Sequence, residues 1–241
     1  MTHPDARAVA DADGVEAALS LERFARYVAW AGGDRHRAVE PYTLNTRVSE
    51  ALYVPLQALE VALRNRIHAV MTEASGAGWF QPEAGHVTDR QAEQVRAAIA
   101  ELTEAGKPIE DGRVVAALTF SFWTSMFGRE QDDLWKRTLH RIATRDGKFL
   151  SRKAFATPLT QVRLLRNRIA HHEPILYWDL PKHHQAIADM TRWLSPAMDD
   201  WRATLDRFDQ LHPPERMRLA RLRDDEAWAD RSSPSPGRGR R

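Results

Sequence analysis

Cysteine is absent from the 241 residues. That excludes disulfides, zinc–thiolate sites and a cysteine nucleophile. Long apolar runs are absent too, and no stretch approaches the roughly 20 residues that a bilayer-spanning helix needs, so no membrane partner is expected. Met1–Asp13 carries acids and no apolar stretch, so no secretory signal is expected there, and a cytoplasmic setting is the simplest one. Alternating strand-type patterns and fixed-period repeats are lacking. Asparagine is scarce, occurring only at Asn45, Asn65 and Asn167. A large charge imbalance is also missing, since the formal net charge is +2. The segment 231–241 holds four arginines and no acid. The 35 Lys and Arg less those four leave 31 against 33 Asp and Glu, so the body is near neutral. The sequence pI of about 9.1 therefore reflects the tail. Charge within the body is uneven: Lys136–Arg168 holds ten Lys or Arg and one acid, Asp146. A local excess of this kind attracts phosphate even on a neutral molecule.

What is present is helix-forming sequence, with 43% hydrophobic residues and 28% charged ones. Glycine and proline act as punctuation. We expect a flexible N-terminus over 1–14, one all-helical domain over 15–230 and a disordered Arg-rich tail over 231–241. Ser20 is placed to cap a helix bearing Phe24, Tyr27, Val28 and Ala31, broken at Gly32-Gly33. Asp34 is placed to cap a short helix after it. A long helix is predicted from about Thr43 to Ala74, with a core stripe of Leu52, Leu56, Leu59, Leu63 and Ile67 and a bend at Pro55. A loop over 76–85 covers Trp79 and Phe80. Helices follow from Thr88 or Asp89 to near Gly106, from Asp111 through Ser125, and from Asp132 to Ala143. Asp146-Gly147 is a turn. Thr157-Pro158 reads as a helix start, and Pro174 as the stop of that helix. Pro181, Ser195-Pro196 and Pro213-Pro214 open three more. Phe120, Phe122, Trp123 and Phe127 read as core rather than as a stacking platform for bases.

Two of the three asparagines sit in the same string, Leu-Arg-Asn-Arg-Ile, at Leu63–Ile67 and Leu165–Ile169, and a histidine follows each at His68 and His171. In the second copy Asn167 and His171 share a helical face. At about 100° per residue, Arg166 stands about 140° round from His171. Convergence of those two groups calls for a relaxed helix end or for a second chain. The residue types suit RNA cleavage. RNA carries its own nucleophile, the 2′-OH, so an enzyme has to remove that proton, stabilise the charged phosphorane and protonate the leaving 5′-oxygen. Histidine titrates near neutrality and suits either proton transfer. Arginine offers a planar fork to phosphate oxygens. Asparagine can hold the imidazole tautomer or the phosphate. Neither metal nor cofactor is required, the products carry a 2′,3′-cyclic phosphate and a 5′-hydroxyl, and DNA is spared.

The string Arg166-Asn167-Arg168-Ile169-Ala170-His171 fits the Arg-x(4–6)-His motif and resembles that of the HEPN ribonuclease superfamily. Extended through His172-Glu173-Pro174, it is similar to the Abi-like (abortive infection, AbiD/AbiF-type) branch. Two further stretches are similar to that branch: Ser49–Tyr53 running on through Leu59–Asn65, and Ser121–Phe127. The resemblance spans about Leu21 to Leu194. It implies a HEPN-like helical bundle with additional helices, often a homodimer with two motifs facing each other, and metal-independent endoribonuclease activity. It also implies phage defence or a toxin–antitoxin system, with a cognate antitoxin or a phage trigger as a further partner. The motif's Arg and His fall on Arg166 and His171, and its polar position on Asn167. Glu60, Arg64, Asn65, His172 and Glu173 are candidate supporting residues, and Arg152, Lys153, Arg163 and Arg168 candidate RNA contacts.

Plainer readings stand beside these. Arg166 can be a surface arginine, and His171 a residue favoured by the helix dipole. Arg64 and Asn65 can brace the long helix. Glu60 can pair with Arg64 one turn on, or bind Arg166, or orient His171. His171-His172-Glu173 with His183-His184 can suggest a metal, but the spacing matches no strong zinc template and no HExxH is present. A non-catalytic module binding RNA or protein, acting as a sensor or regulator in a defence pair, is the alternative function.

Overall fold

The computed structural model describes residues 12–19 and 21–212. Outside that range fall the Ser20 cap, the helix expected from Pro213, the Arg-rich tail and most of the expected N-terminal segment. Among the described residues the fold is all-α, with one two-stranded hairpin. No helix among the described residues is long and apolar enough to cross a membrane. Two compact units interleave along the chain. The first holds the described residues up to Leu52, then Asn167–Leu180, then those from Arg207; the second holds Tyr53–Arg166 and Pro181–Asp206.

The first unit contains α1 (Ala12–Leu19), α2 (Leu21–Trp30) and the start of α3 (Arg35–Ser75). Phe24, Tyr27 and Trp30 recur at helical spacing on α2 and are buried with Ala38, while Tyr42, Leu176 and Tyr177 pack against them. Burial of each such large ring contributes roughly 1.5–3 kcal/mol. Gly32 and Gly33 have positive φ and end α2, and Asp34 then caps α3 by accepting from Arg37 N–H at 3.0 Å. The expected break before Thr43 is absent, so the short and long helices are one. Pro41 is carried inside α3, although it has no N–H to donate to the Arg37 carbonyl. The Thr43 and Thr46 hydroxyls donate back to the carbonyls of Val39 and Tyr42 at 2.8 and 3.1 Å instead of capping a new start.

In the second unit Leu56, Leu59, Leu63 and Ile67 of α3 are buried, as are Trp79 and Phe80 under their loop. α4 (Asp89–Glu104) opens with a reciprocal capping box between Thr88 and Gln91. The Gln91 side chain also donates to Ser125 Oγ at 2.8 Å and accepts from Gln131 at 2.8 Å, so it is a buried amide with its valences used. The helix expected from Asp111 to Ser125 is two, α5 (Asp111–Ala117) and α6 (Phe120–Ser125). They part at Leu118, which is extended, and Thr119, which caps α6. Likewise α7 (Asp132–Arg137) gives way to a 3₁₀ turn over Leu139–Ile142. Asp146 and Gly147, at φ 52° and 73°, form the tight turn of a hairpin whose strands are β1 (Thr144–Arg145) and β2 (Lys148–Phe149).

Helix α8 (Arg152–Ala170) begins before the expected Thr157-Pro158 start and carries Pro158 inside it. Ser151 is the cap, its hydroxyl accepting from Ala154 N–H at 3.2 Å, and fully buried Phe155 anchors the first turn. α9 (Leu180–Leu194) follows, and α10 (Pro196–Leu205) opens on Ser195, whose hydroxyl accepts from Met198 N–H at 3.3 Å. α11 (Phe208–Leu211) lies in the first unit.

Candidate functional site

Arg166, Asn167, Arg168 and His171 to Glu173 lie at the C-terminal end of α8, where the helix stops in a defined way. His171 N–H still donates to Asn167 C=O at 2.9 Å, so the backbone stays helical through His171. His172 then turns left-handed, at φ 57°. Its N–H reaches Ile169 C=O at 3.0 Å, and Glu173 N–H reaches Arg168 C=O at 2.9 Å. These two bonds make a Schellman motif with histidine at the position glycine usually takes. Pro174 follows and cannot continue the helix. The expected relaxed helix end is therefore absent. The Arg166–His171 offset of about 140° follows from regular helix geometry and stands.

A residue that sequence reasoning left without a role holds the segment beyond. Asn45 on α3 is buried, accepts from Ile175 N–H at 2.7 Å and donates to Glu173 C=O at 3.4 Å. An asparagine in mid-helix satisfies two backbone groups of the irregular segment 173–175, which have no helix of their own to join. The scarcity of asparagine was the available signal, because all three positions deserved equal scrutiny.

Arg168 is corrected. Expected to contact RNA, it is buried, pairs with Glu173 at 3.0 Å and donates to Pro174 C=O at 3.2 Å. Its guanidinium also faces the rings of Tyr177 and Trp178 at 5.5 and 5.7 Å. It is a clamp for the post-helical segment. Arg152 is similarly occupied, bound to Asp132 at 2.9 Å and Phe127 C=O at 2.8 Å. Asp132's carboxyl is held below its usual range, first by its hydrogen bond from Lys136 and then by that from Arg152. Lys153 is exposed and Arg163 half-buried, and neither has an ion-pair partner among the described residues.

In the second unit Arg166 lies 3.7 Å from Glu60, and its guanidinium is 6.0 Å from the Phe120 ring centroid. Of the three possibilities for Glu60, the pairing with Arg166 is the one present. Arg64 makes no ion pair among the described residues, and its Nε is buried without a partner. Asn65 is exposed, so it braces nothing. His68 Nδ1 accepts from the buried Trp79 indole N–H at 3.1 Å. Of the other histidines raised, His184 binds Asp206 at 2.6 Å. Among the described residues no group of three His, Asp or Glu is placed to hold a metal ion.

In the first unit His171 and His172 are exposed and line a cleft of about 370 Å³ with Arg23, Tyr27, Tyr42 and Glu173. No side-chain bond occupies either imidazole or Arg23 among the described residues. Among the described residues the cleft's one carboxylate, Glu173, is neutralised by Arg168. The charge left unpaired at the cleft is that of Arg23, so its net character is cationic. Arg23, Tyr27 and Tyr42 were not singled out from sequence as functional, because nothing in their local spacing relates α2 and α3 to residues some 130 positions later. No family model, curated protein or solved structure matches the chain.

Proposed function

We propose that the chain is a metal-independent endoribonuclease of the HEPN type. The observation that carries the reading is the condition of His171. Its imidazole is exposed at a helix end and, among the described residues, is engaged by no other side chain, in a cleft whose only carboxylate among them is already paired. Such a histidine can take the 2′-OH proton or protonate the leaving 5′-oxygen, and the positive surroundings favour a phosphate beside it. In this reading Asn167 positions the imidazole or the phosphate, and Arg166 stabilises the phosphorane. Glu60 orients Arg166, Lys153 and Arg163 contact the RNA strand, and no cofactor takes part.

Because the backbone remains helical through His171, the offset between Arg166 and His171 is met by a second copy supplying the missing group, so the active form is a homodimer. Phage defence or a toxin–antitoxin pairing in the cytoplasm, with an antitoxin or phage trigger, belongs to the same proposal through the motif's resemblance to Abi-like proteins.

Cleavage of a mixed RNA pool in EDTA tests it. Wild type is expected to leave 2′,3′-cyclic phosphate ends and to spare DNA. His171→Ala, matched for folding, is expected to lose about 10²–10⁴-fold in rate. Absence of cleavage by wild type, or undiminished cleavage by the variant, sinks the enzymatic reading. RNA binding without cleavage would instead support the sensor or regulator alternative. Sedimentation of the active species tests the homodimer.

A further inference from the structure

We propose that the cleft of the first unit is a nucleotide-reading subsite, in which Arg23 holds a phosphate and Tyr42 and Tyr27 receive one base. The choice of ligand rests on the ribonuclease reading; the site itself rests on the residues that line the cleft. Arg23 is exposed on α2, lines the cleft and has no carboxylate partner among the described residues. The exposed imidazoles of His171 and His172 add two more groups suited to an anion. Glu173 does not oppose them, since Arg168 has taken its charge.

The aromatic side of the cleft is built from a braced pair. Tyr42 meets Tyr27 edge-on, with centroids 5.2 Å apart at 89°, and meets Phe24 at 6.3 Å and 71°. Those contacts fix the Tyr42 ring while leaving it half-buried, so part of its surface faces the cleft. A flat π surface of this kind suits a base and tolerates any of the four.

The Tyr27 hydroxyl adds discrimination. It is buried and has no hydrogen-bond partner among the described residues. Burial first, and the neighbouring Tyr42 second, push its ionisation far above the ordinary phenol range, so it stays a neutral O–H that both donates and accepts. A buried hydroxyl lacking a partner is uncommon in a folded protein. The edge of a base can satisfy it, and a base lacking the matching group cannot. The volume, about 370 Å³, lies at the lower end of the roughly 300–1,000 Å³ typical of small-molecule sites. One nucleotide is the fitting unit, with its phosphate toward Arg23 and the imidazoles, its base on the Tyr42 ring and the base edge toward the Tyr27 hydroxyl.

The test is calorimetric titration of the full chain with the four ribonucleoside 5′-monophosphates, the matching nucleosides and inorganic phosphate. We expect monophosphates to bind more tightly than either fragment, with one base preferred at least fivefold. Arg23→Ala should weaken the monophosphates about tenfold and leave the nucleosides unchanged. Arg23→Gln, which keeps the aliphatic stem, should do the same. Tyr27→Phe, which keeps the ring, should level the preference among bases. No binding of any monophosphate to wild type, binding indifferent to both Arg23 variants, or phosphate binding as tightly as its nucleotides overturns the subsite. A base preference unaltered in Tyr27→Phe overturns the role of the hydroxyl. RNA cleavage by a chain that binds no monophosphate sinks the subsite and spares the ribonuclease. Monophosphate binding without cleavage supports the subsite and sinks the ribonuclease.

Discussion

The string Leu-Arg-Asn-Arg-Ile is written twice in this chain, and the two copies have opposite fates. In both, the leucine is buried. From there they part. At Leu63–Ile67 the helix continues to Ser75, and the following histidine, His68, is half-buried and accepts from the buried Trp79 indole N–H. Arg66 there binds the carbonyls of Ile142 and Arg141, both at 3.2 Å. At Leu165–Ile169 the helix stops at Ala170, and His171 and His172 are left exposed. The histidine that follows the string thus becomes structural in mid-helix and accessible at a helix end. What separates them is the stop signal, Pro174 with its left-handed His172, rather than the string.

The widest separation should come from alanine at each histidine. His171→Ala should leave thermal stability within about 0.5 kcal/mol, as for other exposed positions, while abolishing most RNA cleavage. His68→Ala should do the reverse. It strands the buried Trp79 N–H at a cost of about 1–3 kcal/mol, with the rate per folded molecule unchanged. Chemical denaturation beside a cleavage assay checks both. If His68→Ala abolishes cleavage without loss of stability, the distinction between the copies fails.

Asn45 sharpens the comparison at the next level. The segment after the second copy is held by two hydrogen bonds from one amide, whereas the first copy continues as helix and needs no such support. Asn45→Ala should cost about 1–3 kcal/mol, because Ile175 N–H is left without its acceptor. Hydrogen exchange at Ile175 should accelerate before that of the α8 interior. Equal acceleration throughout α8 would mean that Asn45 supports the whole unit rather than the post-helical segment.

Much of this was legible in the residues, because caps and stops act locally. Thr88, Asp34 and Ser195 announced helix starts by side chains that accept nearby N–H groups, and Pro174 announced a stop. The core stripe of α3 followed from periodicity alone. Where reasoning erred, two signals competed. Thr157-Pro158 looks like a start, but Ser151 and buried Phe155 begin α8 earlier and the helix absorbs the proline. The fate of Arg168 was illegible, since its partners Tyr177 and Trp178 are recruited by a turn that charge counting does not foresee. The cleft was illegible for the same reason. Arg23, Tyr42 and His171 meet only once the segment after α8 packs beside α2 and α3, within the first unit.

The smallest effect belongs to His172, and it is informative by its sign. A single L-residue in the left-handed region costs roughly 1–2 kcal/mol relative to a residue without Cβ, although histidine tolerates the region better than most side chains do. Glycine loses more unfolded-state entropy, which returns part of that gain. His172→Gly should therefore stabilise the first unit by about 0.5–1 kcal/mol, seen as a small rise in melting temperature. If the imidazole also meets the phosphate, RNA cleavage by the same variant should show a raised KM at nearly constant kcat, as loss of ground-state binding predicts. Stabilisation with unchanged KM would leave the left-handed histidine as a mere helix stop. Destabilisation would mean that its side chain supports the fold, and the second exposed imidazole would then drop out of the contrast with His68.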